Sequence, residues 1–399
     1  MNKLLICCFS LILMYPLGID LYLVGLPEIA ASLNASEADL HAAFSIYLIG
    51  MASTMVFGGY AADKLGRKPV AIVGSIIFAV ASWWAMGASN SQDFFFARFG
   101  QGIGAGFCYV VTFAILRDAL DDDKRAKVLS MINGITCIVP VLAPVIGHLI
   151  MLRFAWTSLF LAMATTAAFI GLLCLFFLKE SRPDTSKEKS SINQPNTPSQ
   201  HAHHAFLSRI YLTRLVNTSL CVTAILTYVG VSPMLLMDTL GFDKGQYSTA
   251  MAMLAGVSMI SSFLTPKLLS QFGQQKIIIV SQVFFFCSAT ILWMANQQQS
   301  SYAIYMFGFA FICSGFSIGF GTLTSQALAP FKQHAGLASS ILGVCQVSFS
   351  AFYIWFMGWL GISAINILMI LLLLAAVVNL LLIITIRQPE PNATIACNQ

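Results

Sequence analysis

The stretch GGYAADKLGRKP at residues 58–69 is a short polar segment between two long apolar runs, at about 41–62 and 69–88. Glycines permit a tight turn and a close approach of two helices. An acidic side chain near basic ones can pair with them or cap a helix. The segment therefore predicts a tight, charged turn between two apolar helices. Its glycines and charged residues of interest are Gly59, Asp63, Gly66, Arg67 and Lys68.

Apolar runs of similar length recur along the whole chain on both sides of this turn. Of the 399 residues, 58% are hydrophobic and 9% are charged, whereas soluble domains carry roughly 25% charged residues. About 20 apolar residues suffice for a helix to cross a bilayer. The composition therefore excludes a soluble enzyme, a nucleic-acid binder and a disordered scaffold, and it predicts a polytopic membrane protein. The twelve predicted spans lie at about 4–25, 41–62, 69–88, 94–116, 128–151, 155–178, 210–233, 247–269, 277–296, 302–324, 336–358 and 362–386.

The spans form two groups of six that flank a polar segment unable to bury a hydrophobic core. The two groups are weakly similar: KLGRKPVAI after the second span corresponds to QFGQQKIII after the eighth, and GIGAG in the fourth to GFSIG in the tenth. Paired halves are typical of secondary transporters, with a site between the halves near the bilayer midplane. We expect an amino-terminal six-helix bundle at 1–180, a linker at 181–208, a second bundle at 209–387 and a tail at 388–399.

The positions of Lys and Arg predict the orientation in the membrane. If the amino terminus is cytoplasmic, 18 of the 21 basic residues precede, follow or connect spans on the cytoplasmic side. Only Arg153 and Lys244 fall on the opposite side, and Arg98 lies within a span. Cytoplasmic loops are enriched in basic residues. We therefore expect both termini and the linker to be cytoplasmic.

Two charged side chains lie well inside the predicted spans, Asp20 in the first and Arg98 in the fourth. Charges inside a bilayer are costly and indicate function by default. At 1.5 Å per residue, their depths agree within about a turn or two. We predict that Asp20 carries a proton, and that its distance from Arg98 or its access to water changes its ionisation. The alternatives are a structural ion pair, and an Arg98 that is bonded to the carbonyls of a broken helix.

The sequence contains no pattern typical of a membrane-embedded enzyme. It has no HExxH motif, no paired acids within spans and no Ser–His set. Its ten cysteines are not spaced as metal ligands or as an extracellular disulfide framework. We therefore expect no enzymatic activity, no metal and no cofactor.

Three further stretches extend the pattern at 58–69: RFGQGIGAG at 98–106, NGITCIVPVLAPVIGH at 133–148 and GIDLYLVGLPEIA at 18–30. Together the four stretches resemble the motifs of the major facilitator superfamily and, more narrowly, of its twelve-span drug:proton antiporters. The resemblance covers the whole chain. It implies an all-α membrane protein with twelve transmembrane helices in two pseudo-symmetric six-helix bundles.

The resemblance also implies a function, which is proton-coupled efflux of hydrophobic or amphipathic drugs across the bacterial inner membrane by alternating access. Amphenicols are one candidate class, and the expected partners are the drug, protons and the bilayer, with no nucleic acid and with a monomeric protein. The alternative is a proton-coupled transporter of a small metabolite such as a sugar or an amino acid derivative. The proton-coupling residues would be Asp20 and Arg98. The conformational gate would comprise Gly59, Asp63, Gly66, Arg67, Lys68, Arg117, Asp118, Pro144 and Gly147, and the substrate would contact Gln101, Tyr228 and Gln346.

The sequence departs from the family pattern in two places. His148 stands where the fifth-span motif usually has glycine; it is expected at the outer surface, with a proton relay as the alternative, because histidine titrates near neutral pH. The second acid that some relatives carry deeper in the first span is absent, which leaves Asp20 alone there. The second half has no charge buried in its predicted spans, which favours uncharged or amphipathic substrates.

The orientation can be tested with reporter fusions. A reporter that is active only in the cytoplasm should be active when fused near Gln194, because basic residues flank that segment. The same reporter fused near Arg153 should be inactive. Activity of a periplasm-only reporter near Gln194 would show that the predicted orientation is inverted.

Overall fold

The computed structural model describes residues 2–120, 122–180, 208–298, 301–329 and 335–385. Over these residues the protein is helical, without a β-strand, which confirms the predicted fold class. The predicted tail, and the linker except for Ser208, lie outside the described residues.

The helices of the first half begin with a segment in two parts, α1 and α2, joined by a 3₁₀ turn at Leu23–Gly25. Five long helices follow. The bounds are α1 (Asn2–Asp20), α2 (Leu26–Leu33), α3 (Glu37–Leu65), α4 (Arg67–Met86), α5 (Ser91–Ala119), α6 (Asp122–Met151) and α7 (Thr157–Phe177).

The described residues of the second half form six long helices, and a π-helical turn at Met234–Thr239 extends the first of them. Their bounds are α8 (Arg209–Pro233), α9 (Lys244–Phe272), α10 (Gln274–Gln298), α11 (Tyr302–Leu328), α12 (Ala335–Trp359) and α13 (Ala364–Thr385).

Eleven helical segments in the described part of the chain are long and apolar enough to cross a membrane, and α1 and α2 together form one of them. The helix at the remaining predicted position, α6, is 30 residues long, and its apolar stretch at Ile138–Met151 is shorter. The helices therefore occupy all twelve predicted span positions.

The first span differs from its prediction as one run at about 4–25. The helix stops at Asp20, and a second helix starts at Leu26 and continues to Leu33. Pro27 explains the new start, because proline lacks an N–H and is tolerated in the first turn of a helix. The second helix ends at Asn34, which adopts a left-handed conformation with φ 50°.

Glycines bring α3 and α5 into backbone contact. A Cβ added at Gly102 on α5 would lie 2.1 Å from the carbonyl oxygen of Tyr47 on α3, and one at Gly50 would lie 2.4 Å from the carbonyl oxygen of Phe99. On another side of α5, a Cβ at Gly104 would lie 2.6 Å from the backbone nitrogen of Phe78 on α4. Small residues at such crossings let membrane helices pack closely. The glycines of the fourth-span motif therefore fix α5 between α3 and α4.

The internal sequence similarity has a counterpart in backbone conformation. Gly66 ends α3 with φ 105°, and Gly273 ends α9 with φ 77°. Both glycines are followed at once by the next long helix. Positive φ values favour glycine, so the same residue type is needed at corresponding turns of the two halves.

The close α3–α5 crossing generates a test of stability. Gly102→Ala places a methyl group against the backbone of α3, which cannot yield as a flexible side chain would. We expect a loss of about 3 kcal/mol, the upper part of the usual range for overpacking, and a melting temperature lowered by roughly 3–4 °C for a chain of this length. Thermal unfolding of the purified protein in detergent measures this.

The matched control is Gly321→Ala on α11, because no heavy atom lies within 4 Å of a Cβ at that position. This variant should unfold as the wild type does. Equal melting temperatures for both variants would mean that the α3–α5 contact is not tightly packed.

Candidate functional site

The buried charges on α1 and α5 lie where α1 ends. Arg98 is fully buried, and its Nη1 donates hydrogen bonds to the carbonyl oxygen of Gly18 at 2.9 Å and to Oε1 of Gln101 at 2.7 Å. The Gln101 amide Nε2 in turn donates to Oγ of Ser82 at 2.8 Å. A chain of hydrogen bonds from α4 through α5 therefore holds the guanidinium against the end of α1.

Two tyrosine rings also contact the Arg98 guanidinium. Its Cζ lies 4.2 Å from the ring centroid of Tyr22 and 4.5 Å from that of Tyr47. Cations are attracted to the faces of aromatic rings, most strongly where water is excluded. The hydroxyl of Tyr47 donates to the carbonyl oxygen of Tyr15 at 2.9 Å, which ties α3 to α1.

Asp20 follows two residues after the Gly18 whose carbonyl Arg98 binds, and it is buried, with 3% of its surface exposed. No salt bridge within 4.0 Å joins it to Arg98, and no hydrogen bond to its carboxylate occurs among the described residues. Of the arrangements considered from the sequence, the structure contains the one in which Arg98 bonds to a carbonyl at a helix break. The carboxylate is thereby left without an ion-pair partner in this part of the chain.

The loop between α3 and α4 contains a cluster of charges. Arg67 is almost fully buried; its Nη1 lies 2.7 Å from Oδ1 of Asp63, and its Nε donates to Oδ2 of Asp118 at 2.9 Å. Arg117 lies 3.3 Å from Asp118 and 4.0 Å from Asp63. The structure thus brings together four of the residues that the sequence analysis assigned to the gate.

A fifth charged residue of this cluster, Glu180, was not predicted. Its carboxylate accepts hydrogen bonds from the backbone N–H groups of Arg67 at 2.8 Å and Lys68 at 3.2 Å, which are the first two residues of α4. A Cβ at Gly66 would lie 2.7 Å from Oε2 of Glu180. An acid is favourable at a helix N-terminus, and only glycine leaves room for it here. Gly59 has no heavy atom within 4 Å of a Cβ position, so close packing does not require it in this arrangement.

Pro144 and Gly147 lie on α6 between the break in the first span and α9. The carbonyl oxygen of Pro144 accepts a hydrogen bond at 2.9 Å from the hydroxyl of Ser248 on α9. A Cβ at Gly147 would lie 2.8 Å from the carbonyl oxygen of Leu21. The neighbouring His148 packs against Gly245 of α9.

Two further contacts join the halves at the face opposite the charged loop, and the sequence analysis missed both. Lys244 on α9 pairs with Glu28 on α2, and Oε1 of Glu37 accepts a hydrogen bond at 3.0 Å from the backbone N–H of Ala364, the first residue of α13. For the first contact, oppositely charged residues at the ends of predicted spans were the available signal, but their pairing depends on the packing of the halves. The second contact is to a backbone N–H and has no such signal in the sequence.

The two second-half residues predicted to contact substrate are Tyr228 and Gln346. Tyr228 is buried; its hydroxyl lies 3.3 Å from Sδ of Met251, and its ring packs on Phe309. Gln346 on α12 is 8% exposed. No group of three or more His, Cys, Asp or Glu side chains that could hold a metal occurs in the described ranges.

The chain was compared with known families and proteins. The family model described as Major Facilitator Superfamily matches residues 8–354. The chain is 53% identical over 389 residues to the multidrug resistance protein MdtL of Vibrio parahaemolyticus, covering 98% of this chain and 97% of that protein. It is 53% identical over 386 residues to MdtL of Shewanella oneidensis, covering 97% and 96%.

Solved structures share the fold at low sequence identity. A D-xylose–proton symporter superposes with a TM-score of 0.76 at 16% identity, covering 94% of this chain and 96% of that one. A bacterial homologue of the human lysosomal transporter Spinster, in an inward-facing and occupied conformation, has a TM-score of 0.76 at 12% identity, covering 98% of each chain. At such identities these likenesses bear on the fold alone.

Proposed function

Because this chain belongs to the Major Facilitator Superfamily, we propose that Asp20 and the charged loop at Asp63–Lys68 are working parts of a proton-driven drug exporter. The protein is a multi-pass membrane protein of the inner membrane and a multidrug efflux transporter; its full-length relatives at about half identity are named multidrug resistance proteins. The proposal concerns three points: that the coupling ion is the proton, that Asp20 and the charged loop take part in transport, and that the substrates are neutral or amphipathic drugs.

The observation that carries proton coupling is the isolated carboxylate of Asp20. It lies inside an apolar span, it is almost fully buried, and no ion pair holds it among the described residues. A buried carboxylate changes its ionisation when its access to water changes or when its distance to a charge such as that of Arg98 changes. Protons would load Asp20 from one side of the membrane and leave it to water on the other.

The contacts between halves support alternating access. The three hydrogen bonds that join the halves in the described residues, Glu28–Lys244, Pro144–Ser248 and Glu37–Ala364, all lie toward the face opposite the charged loop. The charges of the loop cluster, by contrast, all belong to the first half. If the loop faces the cytoplasm, this conformation is closed on the outer side. Rocking of the halves would break these contacts and open that side.

The distribution of buried charge supports a neutral or amphipathic substrate. Among the described residues, the buried charged side chains are Asp20, Arg67 and Arg98, all in the first half. The buried polar side chains of the second half, such as Asn217 and Gln346, are uncharged. Amphenicols have this character and are the class we propose to test first. The metabolite alternative gains no support, because the likeness to a xylose symporter bears on the fold alone.

The loop cluster generates a prediction about conformational switching. Asp63→Asn and Arg67→Ala each remove a charge-assisted contact, worth about 1.5 kcal/mol or more, that favours one arrangement of the loop. A change of 1.4 kcal/mol alters the ratio of two arrangements tenfold. We expect drug efflux to fall about tenfold while equilibrium drug binding stays close to wild type, because the loop lies at one end of the helices and does not line the midplane.

The matched control is Lys64→Ala, which removes an exposed charge one residue from Asp63 and should leave efflux unchanged. Loss of drug binding with normal switching in Asp63→Asn would contradict the assigned role.

Asp20 provides the direct test of the proposed function. Asp20→Asn keeps the size and polarity of the side chain but cannot release a proton. It should abolish uphill chloramphenicol efflux driven by an imposed pH gradient, while downhill movement of the neutral drug survives. Arg98→Ala should also stop coupled efflux, and Arg98→Lys should restore it only in part, because lysine lacks the fixed fork of donors.

Transport into inverted membrane vesicles measures these effects. Asp93→Asn at the exposed start of α5 is the control and should behave as the wild type. If Asp20→Asn still drives uphill efflux at a rate near wild type, Asp20 does not carry the coupling proton, and His148 becomes the next residue to test.

A further inference from the structure

We propose that Tyr22 and Tyr47 are positioning residues for proton coupling, because their rings carry the Arg98 charge in place of Asp20. The inference rests on the proposed function of Asp20 and Arg98. It gives Tyr22 and Tyr47 a role in proton coupling that was not predicted from the sequence motifs or from the charged residues of the site.

The hydrogen bonds of Arg98 do not satisfy its guanidinium. Only Nη1 is bonded, to Gly18 and Gln101, whereas Nε and Nη2 have no hydrogen-bond partner among the described residues. A fully buried charge is costly unless partners compensate it. The faces of Tyr22 and Tyr47, at 4.2 and 4.5 Å from Cζ, are the groups present to do so.

The two rings are anchored differently. The Tyr47 hydroxyl bonds to the carbonyl oxygen of Tyr15, and its ring lies so close to Gly18 that a Cβ there would be 2.9 Å from Cε2. Tyr47 therefore fixes the end of α1 against α3. The Tyr22 hydroxyl has no partner in the described residues, and its ring packs on Phe160 of α7 with centroids 6.0 Å apart. Tyr22 is thus held through its ring faces.

The position of Tyr22 in the chain links it to Asp20. Asp20 is the last residue of α1, Tyr22 directly precedes the 3₁₀ turn, and only Leu21 lies between them. A turn of this segment that carries the Asp20 carboxylate toward Arg98 would also displace the Tyr22 ring, because only Leu21 separates the two residues. In the arrangement described here the rings hold the guanidinium, so Asp20 can keep its proton. After Asp20 releases its proton to water, its carboxylate can replace the Tyr22 ring.

Other titratable groups surround this exchange. Tyr15 of α1, Tyr47 of α3 and Tyr247 of α9 lie near enough to interact with the charge of Asp20. Tyr247 is hydrogen-bonded to Ser232 of α8 at 3.3 Å. Arg98 is the cation that contacts the rings. Because phenols titrate at about pH 10, Asp20 is the member of this group suited to cycle during transport.

The experiment separates the ring face from the hydroxyl and from packing. Tyr22→Phe keeps the ring and removes a hydroxyl without a partner, whereas Tyr22→Leu removes the ring. The matched control is Phe94→Leu on α5, since Phe94 is also buried and also packs on Phe160, at 5.5 Å. The measurements are uphill chloramphenicol efflux driven by a pH gradient, downhill efflux of the same drug, and the number of protons moved per drug molecule.

We expect Tyr22→Leu to lower uphill efflux about tenfold and to reduce the protons moved per drug, with downhill efflux retained. Tyr22→Phe should restore coupling to at least about half of wild type, and Phe94→Leu should keep wild-type stoichiometry. Equal defects in Tyr22→Phe and Tyr22→Leu would assign the effect to the hydroxyl and overturn the proposal. A loss of coupling in Phe94→Leu, or wild-type coupling in Tyr22→Leu, would overturn it as well.

If Tyr22→Leu does not fold, fluorinated phenylalanines at position 22 test the same point at nearly constant size. One, two and three ring fluorines withdraw electron density stepwise, so coupled efflux should decline stepwise. Equal efflux across the series would overturn the proposal. The proposed function fails separately, if Asp20→Asn retains uphill efflux whatever the tyrosine variants do.

Discussion

The hydrogen bond from Arg98 to the Gly18 carbonyl is the contact on which the arrangement of the first half depends. Inside a bilayer, a helix that ends must find partners for its last carbonyl groups within the protein. Arg98 supplies such a partner at the break after Asp20, and the break in turn gives a buried guanidinium an acceptor. The broken span and the buried cation therefore stabilise each other, while the Asp20 carboxylate remains unpaired among the described residues.

The sequence predicted the all-helical class and the span positions, because apolar runs of this length have few alternatives in a chain with so little charge. It also identified Asp20, Arg98 and the loop residues, since charges stand out in apolar spans. The sequence did not predict a role for Glu180. In the sequence this residue lies at the edge of a polar linker, and it can cap α4 only because α7 packs beside α4 in the structure. The two tyrosines were missed because aromatic residues are 12% of the chain, and no local pattern distinguishes a ring that faces a cation 51 or 76 residues away.

Gln101 illustrates a signal that was present but interpreted differently. Its spacing of three residues from Arg98 on a helix places the two side chains on one face. Gln101 was predicted to contact substrate, which stays a prediction; in the structure its amide bridges Arg98 and Ser82. The break in the first span was also indicated by the sequence, because Pro27 is tolerated in the first turn of a new helix. Both cases show that local spacing indicates which side chains are neighbours, whereas the tertiary packing decides what lies between them.

Glu180 has a consequence for how the chain can be divided. It is the last described residue before the segment at 181–207, and its carboxylate caps the start of α4 from the same half. Every described member of the charged loop cluster thus lies at or before position 180. A cut or an insertion beyond that position would leave these described members in one piece, whereas a cut a few residues earlier would separate α4 from its cap. Among the described residues, the charged cluster of the first bundle therefore ends, along the chain, at a single carboxylate.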